Sequence, residues 1–242
     1  MRDHTDIKKI IEDAERVVFF GGAGVSTDSG IPDFRGSGGL YSEDEEFGYE
    51  PEVILCRAFF YGQPELFYRY YRAKMLYPYA EPNRAHEALA RLEREGRLSC
   101  VITQNIDGLH QLAGSEKVIE LHGSVHRNYC ENCGEMYTLD YILGSEGVPR
   151  CQKCGSLVRP DVVFYGESLD NEAFNRAENA IAAADVLIVG GTSLTVHPAA
   201  SLVEEFEGEH LIIINKTYTP YDEYAEYVIR ESISDVLSEI IE

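Results

Sequence analysis

The 242-residue sequence predicts an α/β fold, a doubly wound parallel sheet with a smaller module inserted into it. Three observations carry this. Short, nearly continuous apolar runs such as Val17-Val18-Phe19-Phe20 and Val186-Leu187-Ile188-Val189 suit strands buried on both faces of a parallel sheet. Stretches with helical spacing fall between those runs, and strand alternating with helix is the pattern of a doubly wound sheet. Two stretches break the alternation and read as insertions.

In chain order, residues 5–16 carry Ile7, Ile10, Ile11 and Ala14 at helical spacing, and the first strand, 17–20, ends at glycines. The next stretch begins glycine-rich and acidic (GSGGLYSEDEEFGYE) and becomes an aromatic helix near 57–76; its acidic run at 43–46 reads as a solvated loop. Asn83 caps a helix through Leu92 that Gly96 ends. Cys100-Val101-Ile102-Thr103 and Val118-Ile119-Glu120-Leu121 are the second and third strands. Residues 123–166 hold four cysteines and little periodic pattern. An alanine-rich helix over 171–184 precedes the strand at 186–189, and His197-Pro198 opens a helix ending near Gly208. Strands at 211–214 and 227–229 follow, and Ser232 caps a last helix with Asp235 in the reciprocal capping position.

Hydrophobic residues at 44% and charged residues at 26% are ordinary for a globular chain of one large domain with an insert. The net charge of −21 disfavours nucleic-acid backbones and anionic membranes, and it favours basic partners such as lysine-rich protein tails. The same charge is equally accounted for as a solubility feature. Charges interrupt the apolar residues of the first twenty positions, so no signal peptide is expected there, and no apolar run approaches the ~18 residues of a membrane span. The expectation is a soluble, cytoplasmic protein with no membrane partner and no direct nucleic-acid binding.

Cys130-x-x-Cys133 is followed after seventeen residues by Cys151-x-x-Cys154, the spacing of a tetrahedral Zn2+ site. Four protein ligands close such a site, so one structural Zn2+ is expected. The alternatives are free thiols or two disulfides, and a cytosolic compartment argues against the latter. Cys56 and Cys100 lack partners at ligand spacing and read as buried small hydrophobes.

In open α/β sheets ligands sit at the carboxyl ends of the strands. After the first strand comes Gly22-Ala23-Gly24-Val25-Ser26-Thr27, whose small residues let backbone N–H groups approach a pyrophosphate at a helix N-terminus. Taken alone it is equally a tight turn, and Thr27 stands where a third glycine is usual. The other strand ends carry Gln104-Asn105-Ile106-Asp107-Gly108-Leu109-His110, His122-Gly123, Gly191-Thr192-Ser193-Leu194 and Asn215, so polar groups converge on one sheet edge. A dehydrogenase places a ribose-binding acid about twenty residues after its glycines. An acidic, glycine-rich insertion stands there instead, which leaves the ribose to Ser193 or Asn215.

Together these residues closely resemble the sirtuin family of NAD-dependent protein-lysine deacylases. The matching motifs are Gly22-Ala23-Gly24-Val25-Ser26, Gly30-Ile31-Pro32-Asp33-Phe34-Arg35, Thr103-Gln104-Asn105-Ile106-Asp107, Leu121-His122-Gly123, the two Cys pairs, Arg159-Pro160, Gly191-Thr192-Ser193-Leu194 and Ile214-Asn215, in family order over nearly the whole chain. The resemblance implies a Rossmann-like NAD-binding domain from 1–35, 84–122 and 167–242, a cofactor loop and helical insertion at 36–83, and a zinc-binding domain at 123–166. It implies NAD as co-substrate, acetyl-lysine proteins or peptides as partners, and transfer of the acetyl group to ADP-ribose with release of nicotinamide. Alternatives are protein ADP-ribosyl transfer, a deacylase preferring longer neutral acyl groups, or an idle NAD-sensing module. His122 and Asn105 become the catalytic residues, His122 as general base, a role that suits an imidazole of pKa ~6.5. Asn105 would position the ribose and a water. Asp107, with Ile106, would meet the nicotinamide carboxamide. Ala23, Thr27 and Arg35 would face the phosphates and proximal ribose, with Gln104 beside them. Phe34 would shield the reacting centre from water. Thr192, Ser193, Asn215 and Ile233 would hold the adenosine half. Val163 and Phe164, in Val162-Val163-Phe164-Tyr165-Gly166-Glu167, would bind the peptide as an added strand. His86, His110, His126 and His197 read as structural.

One departure bears on the acyl group. Family members that prefer succinyl or malonyl groups carry Tyr-x-x-Arg in the helical insertion, where the Arg pairs with the acyl carboxylate. Here Tyr71, not Arg, follows Tyr68 by three, and Arg72 lies about 100° further round a helix. Neutral acyl groups are expected, acetyl first.

Overall fold

The protein's structure is a computed structural model that describes residues 4–34, 36, 39–40 and 47–241. Among the described residues the strands are β1 (Val17–Gly21), β2 (Leu98–Thr103), β3 (Val118–Glu120), β4 (Gly123–Cys130), β5 (Met136–Tyr137), β6 (Val158–Val162), β7 (Val186–Gly190), β8 (His210–Ile214) and β9 (Tyr227–Ile229). The helices are α1 (Thr5–Asp13), α2 (Pro51–Ile54), α3 (Arg57–Gly62), α4 (Pro64–Tyr70), α5 (Arg84–Arg94), α6 (Leu109–Leu112), α7 (Leu139–Gly144), α8 (Asn171–Ala182) and α9 (Ile233–Ile240).

The six strands expected for the main sheet form it, all parallel, in the order β3-β2-β1-β7-β8-β9. The first three run outward from β1 and the last three outward from β7, the Rossmann order, so the switch point lies between the carboxyl ends of β1 and β7. Alternate residues of each strand point to opposite faces. Val17 and Phe19 pack with Ile7, Leu89 and Leu237 of α1, α5 and α9. Val18 and Phe20 pack with Ile181 of α8 and with Leu202 on the other face. At the start of α5, Asn83 Oδ1 accepts from Ala85 N–H (2.9 Å) and His86 Nδ1 accepts from Asn83 N–H (3.2 Å), a capping box with an imidazole as the returning group.

Residues 123–166 depart from the weak pattern read in them. They build a second sheet, antiparallel in the order β5-β4-β6, and α7. The buried positions of β4 include Ser124 and Asn128, and these polar residues hide its alternation in the sequence. The aromatic helix expected near 57–76 is divided into α3 and α4 at Gln63-Pro64, because a proline lacks the N–H that would continue the ladder. It closes in a π-helical turn over Tyr71–Met75. Its aromatic residues and the cysteine segment share one core: Phe60, Phe67, Tyr68, Tyr71 and Phe164 pack with Cys130, Cys151 and Val158. Phe60 meets Phe67 at 4.8 Å and Phe67 meets Phe164 at 5.2 Å, both edge-on, as ring quadrupoles favour.

Three further readings are corrected. The helix after His197-Pro198 is a 3-10 helix over Ala199–Glu205. Ser232 makes no capping bond to α9; its hydroxyl donates to the Asp28 carboxylate at 3.0 Å, and Asp235 pairs with Arg84. Cys56 is half-buried, and its Sγ accepts from Phe59 N–H at the start of α3 (3.4 Å), whereas Cys100 is buried as expected. The acidic run 43–46 lies outside the described residues. Among the described residues, no helix is long and apolar enough to cross a membrane.

Candidate active site

The carboxyl ends of the main-sheet strands open into a cleft of ≈ 870 Å³ against the small sheet and its helices. The cleft brings together Ala23, Thr27, Phe34, Gln104, Asn105, Ile106, Asp107, His122, Val163, Phe164, Thr192, Ser193, Asn215 and Ile233. Arg35 lies outside the described residues.

The glycine loop after β1 interlocks with the loop after β7. Gly22 N–H donates to Gly190 O (3.2 Å) and Gly24 N–H to Gly191 O (2.8 Å). A Cβ on Gly22 would stand 2.8 Å from Thr192 Cβ, and one on Gly24 would stand 2.8 Å from Gly191 Cα. These glycines are therefore fixed by the approach of the two loops to each other. The expected helix N-terminus is absent: the loop runs into two 3-10 turns, Ala23–Val25 and Thr27–Ser29, and ends at Gly30 in left-handed geometry (φ 83°). Thr27 turns its hydroxyl back onto Gly24 O (3.0 Å), a local bond that competes with an α-helical start.

Beside this loop Asn105, only 9% exposed, donates through Nδ2 to Ser26 Oγ (3.0 Å). Ser26 Oγ donates to Asp107 Oδ2 (2.7 Å), and Asp107 Oδ1 accepts from Leu109 N–H (2.9 Å). The single hydroxyl proton goes to the carboxylate, so Ser26 accepts from Asn105, and the Asn105 carbonyl oxygen is turned away from Ser26. Ser26 had no assigned role in the sequence reading. It sits in the quoted glycine motif, but its partners are 79 and 81 residues away in the chain.

His122 follows β3. Its Nδ1 lies 2.8 Å from Gln104 O, and a carbonyl only accepts, so Nδ1 carries the proton and Nε2 the lone pair. Burial lowers the His122 pKa below the ordinary value, with the Gln104 bond in partial opposition, so the ring is neutral at pH 7. Gln104 also donates through Nε2 to Thr192 Oγ1 (3.1 Å), which ties the β2 end to the β7 end. Directly after His122, Gly123 has φ 78° and its Cβ position is only 2.0 Å from Asp161 O, so no other residue fits there. Val163 N–H donates to His122 O (3.0 Å), placing the extended segment after β6 beside the imidazole.

That segment is braced from beneath. Arg159 donates to both Glu167 oxygens, at 3.0 and 2.9 Å, and Glu167 Oε2 accepts from Phe164 N–H at 3.0 Å. The Arg159 guanidinium lies 4.6 Å from the centre of the Phe164 ring, which is itself buried in the aromatic core. Tyr165 N–H pairs with Leu55 O and Tyr165 O with Arg57 N–H, both at 3.0 Å. At the opposite end of the cleft, Ser193 Oγ meets Thr195 Oγ1 (2.8 Å) and Asn215 Nδ2 donates to Thr217 O (3.0 Å). Ile233 lies over Gly190, where a Cβ would come within 2.0 Å of it.

Tyr71 lines the cleft and is buried. Arg72 is turned to α7 and its loop, where it donates to Ile142 O (2.9 Å) and Gly147 O (2.7 Å). Behind the cleft, His86 and His110 stack edge-on at 4.7 Å. Both are buried, and among the described residues neither ring nitrogen of His110 has a hydrogen-bond partner. Burial pushes His86 down to about 4 and His110 down to about 3.

The four predicted thiols converge: their sulfur atoms all lie within 4.8 Å of one another, with Cys130–Cys154 at 3.4 Å and Cys133–Cys151 at 3.6 Å. A tetrahedron with ~2.3 Å metal–sulfur bonds has edges of about 3.8 Å, so the set fits Zn2+ with a small adjustment of the sulfur positions. The two turns are alike: Gly134 N–H donates to Cys130 O (2.9 Å) and Gly155 N–H to Cys151 O (2.8 Å). No disulfide is present; all six cysteines are free.

Comparison with known proteins bears directly on this arrangement. The family model described as the Sir2 family matches residues 22–198. An NAD-dependent protein deacetylase of Clostridium acetobutylicum is 53% identical over 237 residues, covering 98% of this chain and 97% of that protein. One of Clostridium tetani is 52% identical over 243 residues, covering 100% and 98%. The solved structure of Sir2 with a peptide and NAD+ matches at a TM-score of 0.87 with 40% identity, covering 99% of this chain and 98% of that one. Sir2 with a deacetylated peptide and 3'-O-acetyl ADP ribose matches at 0.90 with 39% identity and the same coverage. The Rossmann-ordered sheet, the inserted four-cysteine module and full-length likeness at half identity agree, and the chain belongs to the Sir2 family.

Proposed function

We propose that this protein is an NAD-dependent protein-lysine deacetylase, which transfers the acetyl group of acetyl-lysine to ADP-ribose and releases nicotinamide. The observation that carries the reading is His122: a buried imidazole with Nδ1 donating to Gln104 O, held in a cleft between the Asn105–Asp107 loop and Val163. Bound NAD supplies an electrophilic ribose carbon and a leaving group. His122 Nε2 takes the proton of a ribose hydroxyl, and burial keeps that nitrogen unprotonated at neutral pH. Asn105, oriented by Ser26, positions the ribose and a water. Asp107 and Ile106 meet the carboxamide. Ala23, Thr27 and Arg35 face the phosphates with Gln104 nearby, and Phe34 excludes water from the reacting centre. Thr192, Ser193, Asn215 and Ile233 hold the adenosine half.

In this reading the substrate lysine enters beside Val163, with its peptide added as a strand to the Val162–Gly166 segment. The Phe164 side chain serves the small-domain core, and its N–H and O are both bonded to Glu167, so its contribution to the peptide is to hold the segment in place. The NAD-binding domain comprises 1–35, 84–122 and 167–242, with the helical insertion at 36–83 and the zinc module at 123–166. Cys130, Cys133, Cys151 and Cys154 hold one structural Zn2+, which closes the module and leaves no open position for catalysis. The free thiols suit the reducing cytoplasm. With Arg72 engaged by main-chain carbonyls, the acyl group is neutral, acetyl first.

Mass spectrometry of products from an acetyl-lysine peptide, with and without NAD, tests this. O-acetyl-ADP-ribose, nicotinamide and free lysine are expected only with NAD, and not with His122→Ala. ADP-ribose retained on protein in place of the free product would replace the reading with ADP-ribosyl transfer. A higher kcat/KM for a succinyl peptide would overturn the acyl assignment.

A further inference from the structure

The loop carrying Asn105 and Asp107 is tied to β4 at two consecutive peptides. Val125 N–H donates to Ile106 O at 3.0 Å, and His126 Nε2 lies 2.9 Å from Asp107 O. The carbonyl only accepts, so His126 is the donor. The following residue, Gly108, is left-handed at φ 74°, and a Cβ there would stand 2.8 Å from His126 Cδ2 and 2.9 Å from Nε2. The imidazole thus occupies the space a side chain at position 108 would need. His126 N–H itself donates to Ser124 Oγ at 3.3 Å, which turns the residue towards the loop. Asp107 is therefore held at both ends, its carboxylate by Ser26 and Leu109 N–H and its carbonyl by His126 from the other sheet.

We propose that His126 is a positioning residue for the nicotinamide end of NAD, fixing the Ile106–Gly108 peptides so that Asp107 and Ile106 face the carboxamide. The proposal rests on the reading of Asp107 and Ile106 given above. His126 acts through Asp107, by donating Nε2–H to its carbonyl, and β4 carries the position of the cysteine module into the cofactor pocket. The sequence marked this histidine as structural; what it supports is the loop that meets the leaving group.

His126→Phe keeps a ring against Gly108 and removes the donor. Loss of one exposed neutral hydrogen bond corresponds to about a fivefold change in affinity. KM for NAD is expected to rise about fivefold, and inhibition by nicotinamide to weaken by a similar factor, with kcat and the peptide KM unchanged. His126→Gln, whose amide reaches about as far as Nε2, is expected to restore both. If the Phe variant does not fold, His126→Asn, one carbon too short to reach, takes its place. Titration calorimetry of NAD without peptide reads the same shift in Kd, so the proposal is tested even if the protein does not deacetylate. Wild-type Kd and KM for NAD in the Phe variant would overturn it. So would a joint loss of kcat and peptide affinity that Gln does not rescue, since that would mark a merely structural residue.

Discussion

Replacing Glu167 with Ala isolates the brace beneath the peptide segment. The Arg159 and Glu167 side chains are 10% and 17% exposed and share two parallel hydrogen bonds of 3.0 and 2.9 Å. Removing the carboxylate leaves the guanidinium among Phe60, Tyr129 and Phe164, with Pro160 O (3.3 Å), Val162 O (3.2 Å) and the Tyr61 hydroxyl still accepting from it. Breaking a buried pair on one side costs ~3–5 kcal/mol. The remaining acceptors and the ring faces put this case at the lower end, ~3 kcal/mol, or a fall in Tm of about 6–12 °C for a chain of this size. Thermal and urea unfolding at pH 7 read it. Acid provides a second reading. Burial pushes the Glu167 carboxyl up, but the Arg159 bonds and Phe164 N–H outweigh it and hold the folded pKa below the ordinary one. The stabilisation is complete above the unfolded value of ~4.3 and disappears as pH falls through the folded value, so Glu167→Ala should approach the wild type in acid. Arg159→Met with Glu167→Ala should recover much of the loss, since no charge is then stranded. A single variant within ~1 kcal/mol of wild type, or a double variant no better than the single, would refute the reasoning.

Deacetylation should fall on the acid side as His122 is protonated, and because burial lowers its pKa the midpoint should lie below ~6.5 in a kcat/KM–pH profile. Cys130→Ala should abolish bound zinc by metal analysis and release β4, β5 and β6 to rapid hydrogen exchange, leaving β1 and β7 protected. His110 is neutral when folded, with a pKa of about 3 against ~6.5 unfolded. Its contribution is therefore complete above ~6.5 and declines as pH falls towards the folded value. The urea midpoint should drop between pH 7 and pH 5, and His110→Phe should flatten that drop.

The main sheet was legible because its strands are apolar on both faces and end at glycines or polar turns, as Val186–Gly190 does. The cysteine site was legible because its ligands come as two close pairs. β4 was not, because its buried positions mix Ser124 and Asn128 with Val125 and Cys130 and its register is broken between Ser124 and Asn128. The start of the glycine loop was misread because the Gly-x-Gly pattern does not reveal Thr27 bonding back to Gly24, nor that these glycines make room for Gly191 and Thr192. Strand ends alone brought Asn105, Asp107 and His122 to one edge. The roles of Ser26 and His126 depend on partners that only the fold brings near, so no spacing rule reaches them.

The course of β4 has a consequence for how the chain depends on its supply of metal. The strand begins one residue after His122 and ends on Cys130, and its two ends pair with Val162 and Val158 of β6, so the base and a thiol ligand stand at opposite ends of one strand pair. Nothing else in the chain need sense zinc for activity to follow it. A cell starved of the ion would still make chains of full length, but the strand that anchors the base would be loose at its far end. Output of the reaction would then be rationed by metal nutrition, through a length of ordinary backbone.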